Sequence, residues 1–127
     1  MCVRKQGNEM KVLVVDDSSL TRAAMVAALS AYDYEIVGEG QDGNDAVRLY
    51  SEKNPDVVLI DLAMPNKDGL EAIREILQKD PKAKIVAVSA LYDRTMQKRA
   101  MELGASAYII KPFELSELIS VMGKFVK

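Results

Sequence analysis

Five times along the chain, a short apolar or β-branched run gives way to a stretch with helical spacing. The runs are Lys11-Val12-Leu13-Val14-Val15-Asp16, Glu35-Ile36-Val37-Gly38-Glu39, Asp56-Val57-Val58-Leu59-Ile60-Asp61, Lys84-Ile85-Val86-Ala87-Val88-Ser89 and Ala107-Tyr108-Ile109-Ile110-Lys111-Pro112. Strand–helix alternation with no composition break, linker or internal repeat argues for one α/β domain, its parallel sheet covered on both faces. The third run, apolar from Val57 to Ile60, reads as a strand buried on both sides. The second has mixed polarity and reads as an edge.

The helices between the runs are bounded by recognisable breakers. Asp17 or Ser18 can cap a first helix running to about Ala31, rich in alanine and carrying Leu20, Met25 and Leu29. Ala46, Val47, Leu49 and Tyr50 have helical spacing up to Asn54-Pro55. The next helix is predicted from about Gly69 to Lys79, with Leu70, Ile73 and Leu77 on one face and Asp80-Pro81 as its stop. A fourth runs from about Arg94 to Leu103 and closes on Gly104, and a fifth from about Leu115 to Phe125.

At 127 residues, 49% hydrophobic and 28% charged, the chain has the size and balance of one globular domain. A net charge of −2 does not suggest a nucleic-acid or anionic-membrane surface. The absence of histidine removes the commonest general base and zinc ligand, and with them a phosphohistidine carrier. The lone Cys2 excludes an intrachain disulfide and suits a reducing, cytoplasmic compartment. No apolar run reaches the roughly 20 residues of a membrane helix. Residues 1–9 are charged without an apolar core, so they are expected to form a flexible extension to a domain at 10–127.

The chemistry lies at the ends of the strands. The first ends in Asp16 and Asp17, the third in Asp61, the fourth in Ser89 and the fifth in Lys111. A parallel sheet brings such ends to one edge, where open α/β sheets bind ligands. Each residue also has an ordinary role open to it: Asp61 as a turn cap, Asp17 or Ser18 as a helix cap, Ser89 as a loop starter, Lys111 as a solvated end. Together they are more informative. Three carboxylates within a few ångströms repel unless a cation sits among them, and oxygen-only donors with room for water suit Mg²⁺. The Ala63 carbonyl is a further candidate ligand. An ammonium from Lys111 and a hydroxyl from Ser89 complete a site for a dianionic phosphoryl group. The natural nucleophile is Asp61, on the central strand, forming an aspartyl phosphate.

These residues and their surroundings resemble the CheY-like response-regulator receiver domains of two-component signalling. The resemblance rests on Val14-Val15-Asp16-Asp17, Asp61-Leu62-Ala63-Met64-Pro65-Asn66-Lys67-Asp68-Gly69, Val88-Ser89-Ala90 and Tyr108-Ile109-Ile110-Lys111-Pro112-Phe113, and it runs from about Lys11 to Val126. It implies a doubly wound, flavodoxin/CheY-like fold of five parallel strands in the order 2-1-3-4-5 with five helices. It also implies a cis peptide before Pro112. By the same resemblance Asp61 is the phosphoacceptor; Asp16, Asp17, Asp61 and the Ala63 carbonyl hold Mg²⁺; Ser89 and Lys111 contact phosphoryl oxygens. Tyr108 would be an aromatic switch, where the ordinary expectation is a core tyrosine. The implied partner face comprises Tyr92, Arg94, Gln97, Tyr108, Ile110 and Val121.

The implied partners are a sensor histidine kinase or phosphotransfer protein and a downstream protein, the chain being a monomer or a phosphorylation-dependent dimer. Its only substrate would be its own aspartate, so it is not classed as an enzyme. A stand-alone regulator is favoured over a receiver belonging to a longer one. Two more distant possibilities share parts of the pattern. An aspartyl-phosphate type phosphatase needs a second acid where Ala63 stands, and an FMN-binding flavodoxin wants hydroxyls and glycine where Asp16 and Asp17 stand. By the same resemblance Ala63 and Leu91 would flank the path of a hydrolytic water; neither side chain can hold it by hydrogen bonds, which predicts a long-lived phosphate.

Overall fold

The computed structural model describes residues 10–90 and 94–125. Residues 1–9, Leu91 and Tyr92 lie outside the described residues, and with them the expected extension, one flank of the water path and one partner-face position. The elements are β1 (Lys11–Val15), α1 (Ser19–Ala31), β2 (Glu35–Gly40), α2 (Gly43–Lys53), β3 (Val57–Asp61), α3 (Gly69–Lys79), β4 (Ile85–Ala90), α4 (Arg94–Leu103), β5 (Ala107–Lys111) and α5 (Leu115–Met122). All strand pairs are parallel, in the order β2-β1-β3-β4-β5. β2 is an edge and β3 is central and wholly buried, as its uninterrupted apolar run requires.

Alternation along the strands sorts the core into two layers. Leu13, Val15, Val58, Ile60, Ile85 and Ala87 face α2, α3 and α4, meeting Ala46, Leu49, Ala72, Ile73, Ile76 and Ala100. Val12, Val14, Val57, Leu59, Val86, Val88 and Ile109 face the other way, against Met25 and Leu29 of α1 and Leu118 and Met122 of α5. Each such Leu or Ile removed from water contributes about 1.5–3 kcal/mol, so both layers are needed to hold the sheet rigid beneath its functional edge.

The helix boundaries have local causes. The Ser18 hydroxyl, not Asp17, caps α1 by accepting the Thr21 N–H at 3.2 Å. Asp42 and Asp68 cap α2 and α3 in the same way, each at 2.9 Å. Asn54, at φ 48°, ends α2 in the left-handed region, and Gly104, at φ 117°, follows α4.

On α1, Leu20 is 82% exposed, because the inward stripe of that helix falls on Met25 and Leu29. One expectation needs correction. The last helix stops at Met122, and Gly123–Phe125 form a tighter 3₁₀ turn. Among the described residues no helix is long and apolar enough to cross a membrane.

Candidate functional site

The strand ends meet at the C-terminal edge of the sheet. Asp16 follows β1 and is completely buried; Asp61, the last residue of β3, is 5% exposed. Asp17 is exposed beside them, and one carboxylate oxygen from each of the three acids lies within 4.8 Å of the other two. Lys111, the last residue of β5, reaches across β4's end of the sheet. Its Nζ donates to Asp16 Oδ2 at 3.0 Å and to Asp61 Oδ2 at 3.2 Å. The peptide that follows it, Lys111–Pro112, is cis.

Backbone groups hold the acids in place. Asp16 Oδ1 accepts the Ser18 N–H at 2.9 Å, so the turn that starts α1 also fixes this carboxylate. The Asp16 carbonyl accepts a 2.6 Å hydrogen bond from Arg22 Nη1, while Arg22 Nε pairs with Glu39 on β2 at 3.1 Å. Asp61 Oδ1 accepts the Ala63 N–H at 3.1 Å. Gly69 allows a close approach at this point: a Cβ there would strike the Asp61 carbonyl and lie 2.6 Å from Leu62 Cα. Its N–H donates to the Leu62 carbonyl at 3.0 Å, closing the breaker segment against the end of β3. Further along that segment, Lys67 accepts the Gly43 N–H through its carbonyl at 2.7 Å, and the Asn66 amide donates to Asp42 at 2.8 Å.

The electrostatics are those of a site short of positive charge. Burial, followed by the neighbouring Asp16 charge, pushes the Asp61 carboxyl up to about 6, against the pull of Lys111 and the Ala63 N–H. Burial opposes the charge on Lys111, yet its hydrogen bond to Asp16 and the two carboxylate charges together lift its ammonium above the usual range. One ammonium thus serves two buried carboxylates, with a third carboxylate close by. Such a donor set, all oxygen and open to solvent on the Asp17 side, fits a hard divalent cation that keeps some of its water. The Ser89 hydroxyl is buried without a hydrogen-bond partner among the described residues. An orphaned buried hydroxyl is costly, and it suits a group that has an acceptor to gain in another arrangement.

The expected partner face is only partly assembled. Arg94, Gln97, Tyr108 and Ile110 line one open cavity of about 450 Å³ with Lys98 and Met101. Tyr108 is 42% exposed, so it is not a core tyrosine. Gln97 corrects the expectation: it is buried, because its amide turns inward to donate to the Ala90 carbonyl at 3.2 Å. Val121 lies apart from this cavity and packs, half-buried, on the α1–α5 side of the core. Sequence reasoning missed Arg22 and Glu39, the Gly69 approach and the inward turn of Gln97. Only the position of Arg22, shortly after an acid pair at a strand end, offered a signal.

The family model for the response regulator receiver domain matches residues 12–122. The chain is 38% identical over 117 residues to the chemotaxis protein CheY of Thermotoga maritima, covering 92% of this chain and 98% of that one. It is 42% identical to the transcriptional regulatory protein PdtaR of Mycobacterium tuberculosis over 109 residues, 86% of this chain and 53% of PdtaR. Among solved structures, CheY in the CheX–CheY–BeF3–Mg complex of Borrelia burgdorferi superposes with a TM-score of 0.86 at 31% identity, over 93% of this chain and 90% of that one.

Proposed function

The chain belongs to the response regulator receiver family of two-component signalling, and on that premise we propose that Asp61 is its phosphoacceptor, with Mg²⁺ as the required ion. The observation that carries this reading is Lys111 Nζ bridging two buried carboxylates, Asp16 and Asp61, beside a third acid at the functional edge of the sheet. Asp16, Asp17 and Asp61 would hold the ion, with the Ala63 carbonyl as a further ligand. Bound there, Mg²⁺ supplies the positive charge that lets a dianionic phosphoryl group approach three acids.

The residues then have separate tasks. An Asp61 carboxylate oxygen attacks the phosphorus of a kinase phosphohistidine. The O–P bond forms, the P–N bond breaks, and the imidazole nitrogen leaves with the electron pair and takes up a proton. Lys111 holds a peripheral phosphoryl oxygen, and the Ser89 hydroxyl, which has no partner among the described residues, donates to another. Water later attacks the same phosphorus and returns the carboxylate and inorganic phosphate. Ala63 offers that water no side-chain hydrogen bond, consistent with a long-lived phosphate.

Movement of Ser89 toward the phosphoryl group leaves room for the exposed Tyr108 to turn inward, changing the surface around Arg94, Tyr108 and Ile110. A downstream protein would read that change. The match to CheY is nearly end to end and the match to PdtaR covers about half of that protein, so both architectures occur among relatives. We favour a cytoplasmic location, as for a receiver that takes its phosphoryl group from a kinase phosphohistidine.

The test is incubation with phosphoramidate, a small phosphoryl donor, with Mg²⁺ or with chelator. One phosphoryl group per chain by intact mass is expected with Mg²⁺ only, and none in Asp61→Asn. Stoichiometric labelling of a folded Asp61→Asn would overturn the assignment.

A further inference from the structure

Four polar or charged side chains are buried among the described residues: Asp16, Asp61, Ser89 and Gln97. The first three belong to the site above. Gln97 does not touch it, and nothing in the phosphoryl chemistry requires a buried amide on α4. Its Nε2 donates to the carbonyl of Ala90, the residue immediately after Ser89, at 3.2 Å. On its other side it lines the cavity shared with Tyr108 and Ile110. This one side chain therefore touches both moving parts of the switch, the end of β4 and the space beside Tyr108.

We propose that Gln97 is a positioning residue: a latch that ties α4 to the end of β4 while Tyr108 is turned outward. This inference rests on the phosphoacceptor reading of Asp61. Ser89 and Ala90 share a peptide unit, so drawing Ser89 toward a phosphoryl group on Asp61 displaces the segment that carries the Ala90 carbonyl. A 3.2 Å hydrogen bond tolerates little displacement before it weakens. An inward Tyr108 also enters the cavity that Gln97 lines. The latch thus holds in one arrangement and is strained or broken in the other, which gives it a differential free energy between the two states. Removing it should favour the phosphoryl-bound state. By reciprocity, the affinity for a phosphoryl mimic rises by the same factor as the population shifts.

The test uses Gln97→Met, which keeps side-chain length and removes the donor, with Gln97→Leu as a second apolar variant. Beryllofluoride with Mg²⁺ serves as the phosphoryl mimic, and binding is titrated in the full chain alongside hydrogen exchange of α4 amides. A neutral hydrogen bond present in one state only corresponds to roughly a two- to tenfold shift. Beryllofluoride should accordingly bind both variants about two- to tenfold more tightly than wild type. Exchange in α4 of the unliganded variants should move toward that of the liganded wild type. A role limited to packing predicts equal or weaker binding, and that result overturns the latch while leaving the Asp61 reading intact. A wild type that takes up no beryllofluoride, or an Asp61→Asn that takes it up equally well, overturns the phosphoacceptor reading and the latch with it.

Discussion

Lys111 Nζ stands 3.2 Å from Asp61 Oδ2, joining the end of the edge strand β5 to the end of the central strand β3. The same ammonium lies 3.0 Å from Asp16, so it stabilises two buried carboxylates at once. Replacing Lys111 by Ala leaves both acids facing each other without compensation. Because the Lys111 side chain is a quarter exposed, the loss in the metal-free protein is expected at about 1–3 kcal/mol, below that of a fully buried pair. Urea unfolding should show it, and saturating Mg²⁺ should recover part of it. A variant as stable as wild type without metal would refute the electrostatic role given to Lys111.

Asp61→Asn should act in the opposite direction. Its carboxyl sits at about 6 in the folded chain, above an ordinary carboxylate, so the folded state holds a proton that the unfolded state has lost. Stability contributed by this group is therefore lost as pH rises from about 4 to 6, and the full cost of ionisation is present above that. In metal-free protein Asp61→Asn is expected to be more stable than wild type by about 1–3 kcal/mol at pH 7, with the gap closing toward pH 4. Denaturation curves across that range measure it. Mg²⁺ affinity of the wild type should fall as pH drops below about 6, since a protonated Asp61 is a poor ligand.

Ser89→Ala separates stability from switching. The hydroxyl is buried and has no hydrogen-bond partner among the described residues, so its removal should leave the melting temperature unchanged or raised, by up to about 1 kcal/mol equivalent. Labelling by phosphoramidate should persist at a reduced rate, while the beryllofluoride-induced change in α4 exchange is lost. A clear drop in stability would show that the hydroxyl has a partner in the folded chain.

Gly69→Ala tests the close approach behind the phosphoacceptor. Its new Cβ would press on the Asp61 carbonyl and on Leu62 Cα, both backbone, which cannot move aside cheaply. A loss of about 1–3 kcal/mol is expected, with Mg²⁺-dependent labelling impaired more than at a distant core site of equal cost, such as Ile76→Val. Equal impairment at both sites would mean that Gly69 serves folding alone.

Strand order apart, most of the architecture was legible along the chain because its determinants are local. Apolar runs such as Val57 to Ile60 make buried strands, Asn54 and Gly104 stop helices through their left-handed backbone, and acids at strand ends mark the functional edge. Even the convergence of Asp16, Asp61 and Lys111 follows once the strands are parallel. The order of the strands itself came from family resemblance and was borne out. Tertiary structure alone decided which way individual side chains turn. Leu20 points to solvent while Met25 and Leu29 fill the core, although all three are apolar residues of one helix. Gln97 turns inward to Ala90 where a polar residue on α4 was expected at the surface, and Arg22 reaches from α1 to the Asp16 carbonyl and Glu39. These choices depend on partners distant in the fold, whose positions no pattern of neighbouring residues encodes. Residue type sets what chemistry a site can perform, and packing sets which groups are close enough to couple it to the rest of the molecule.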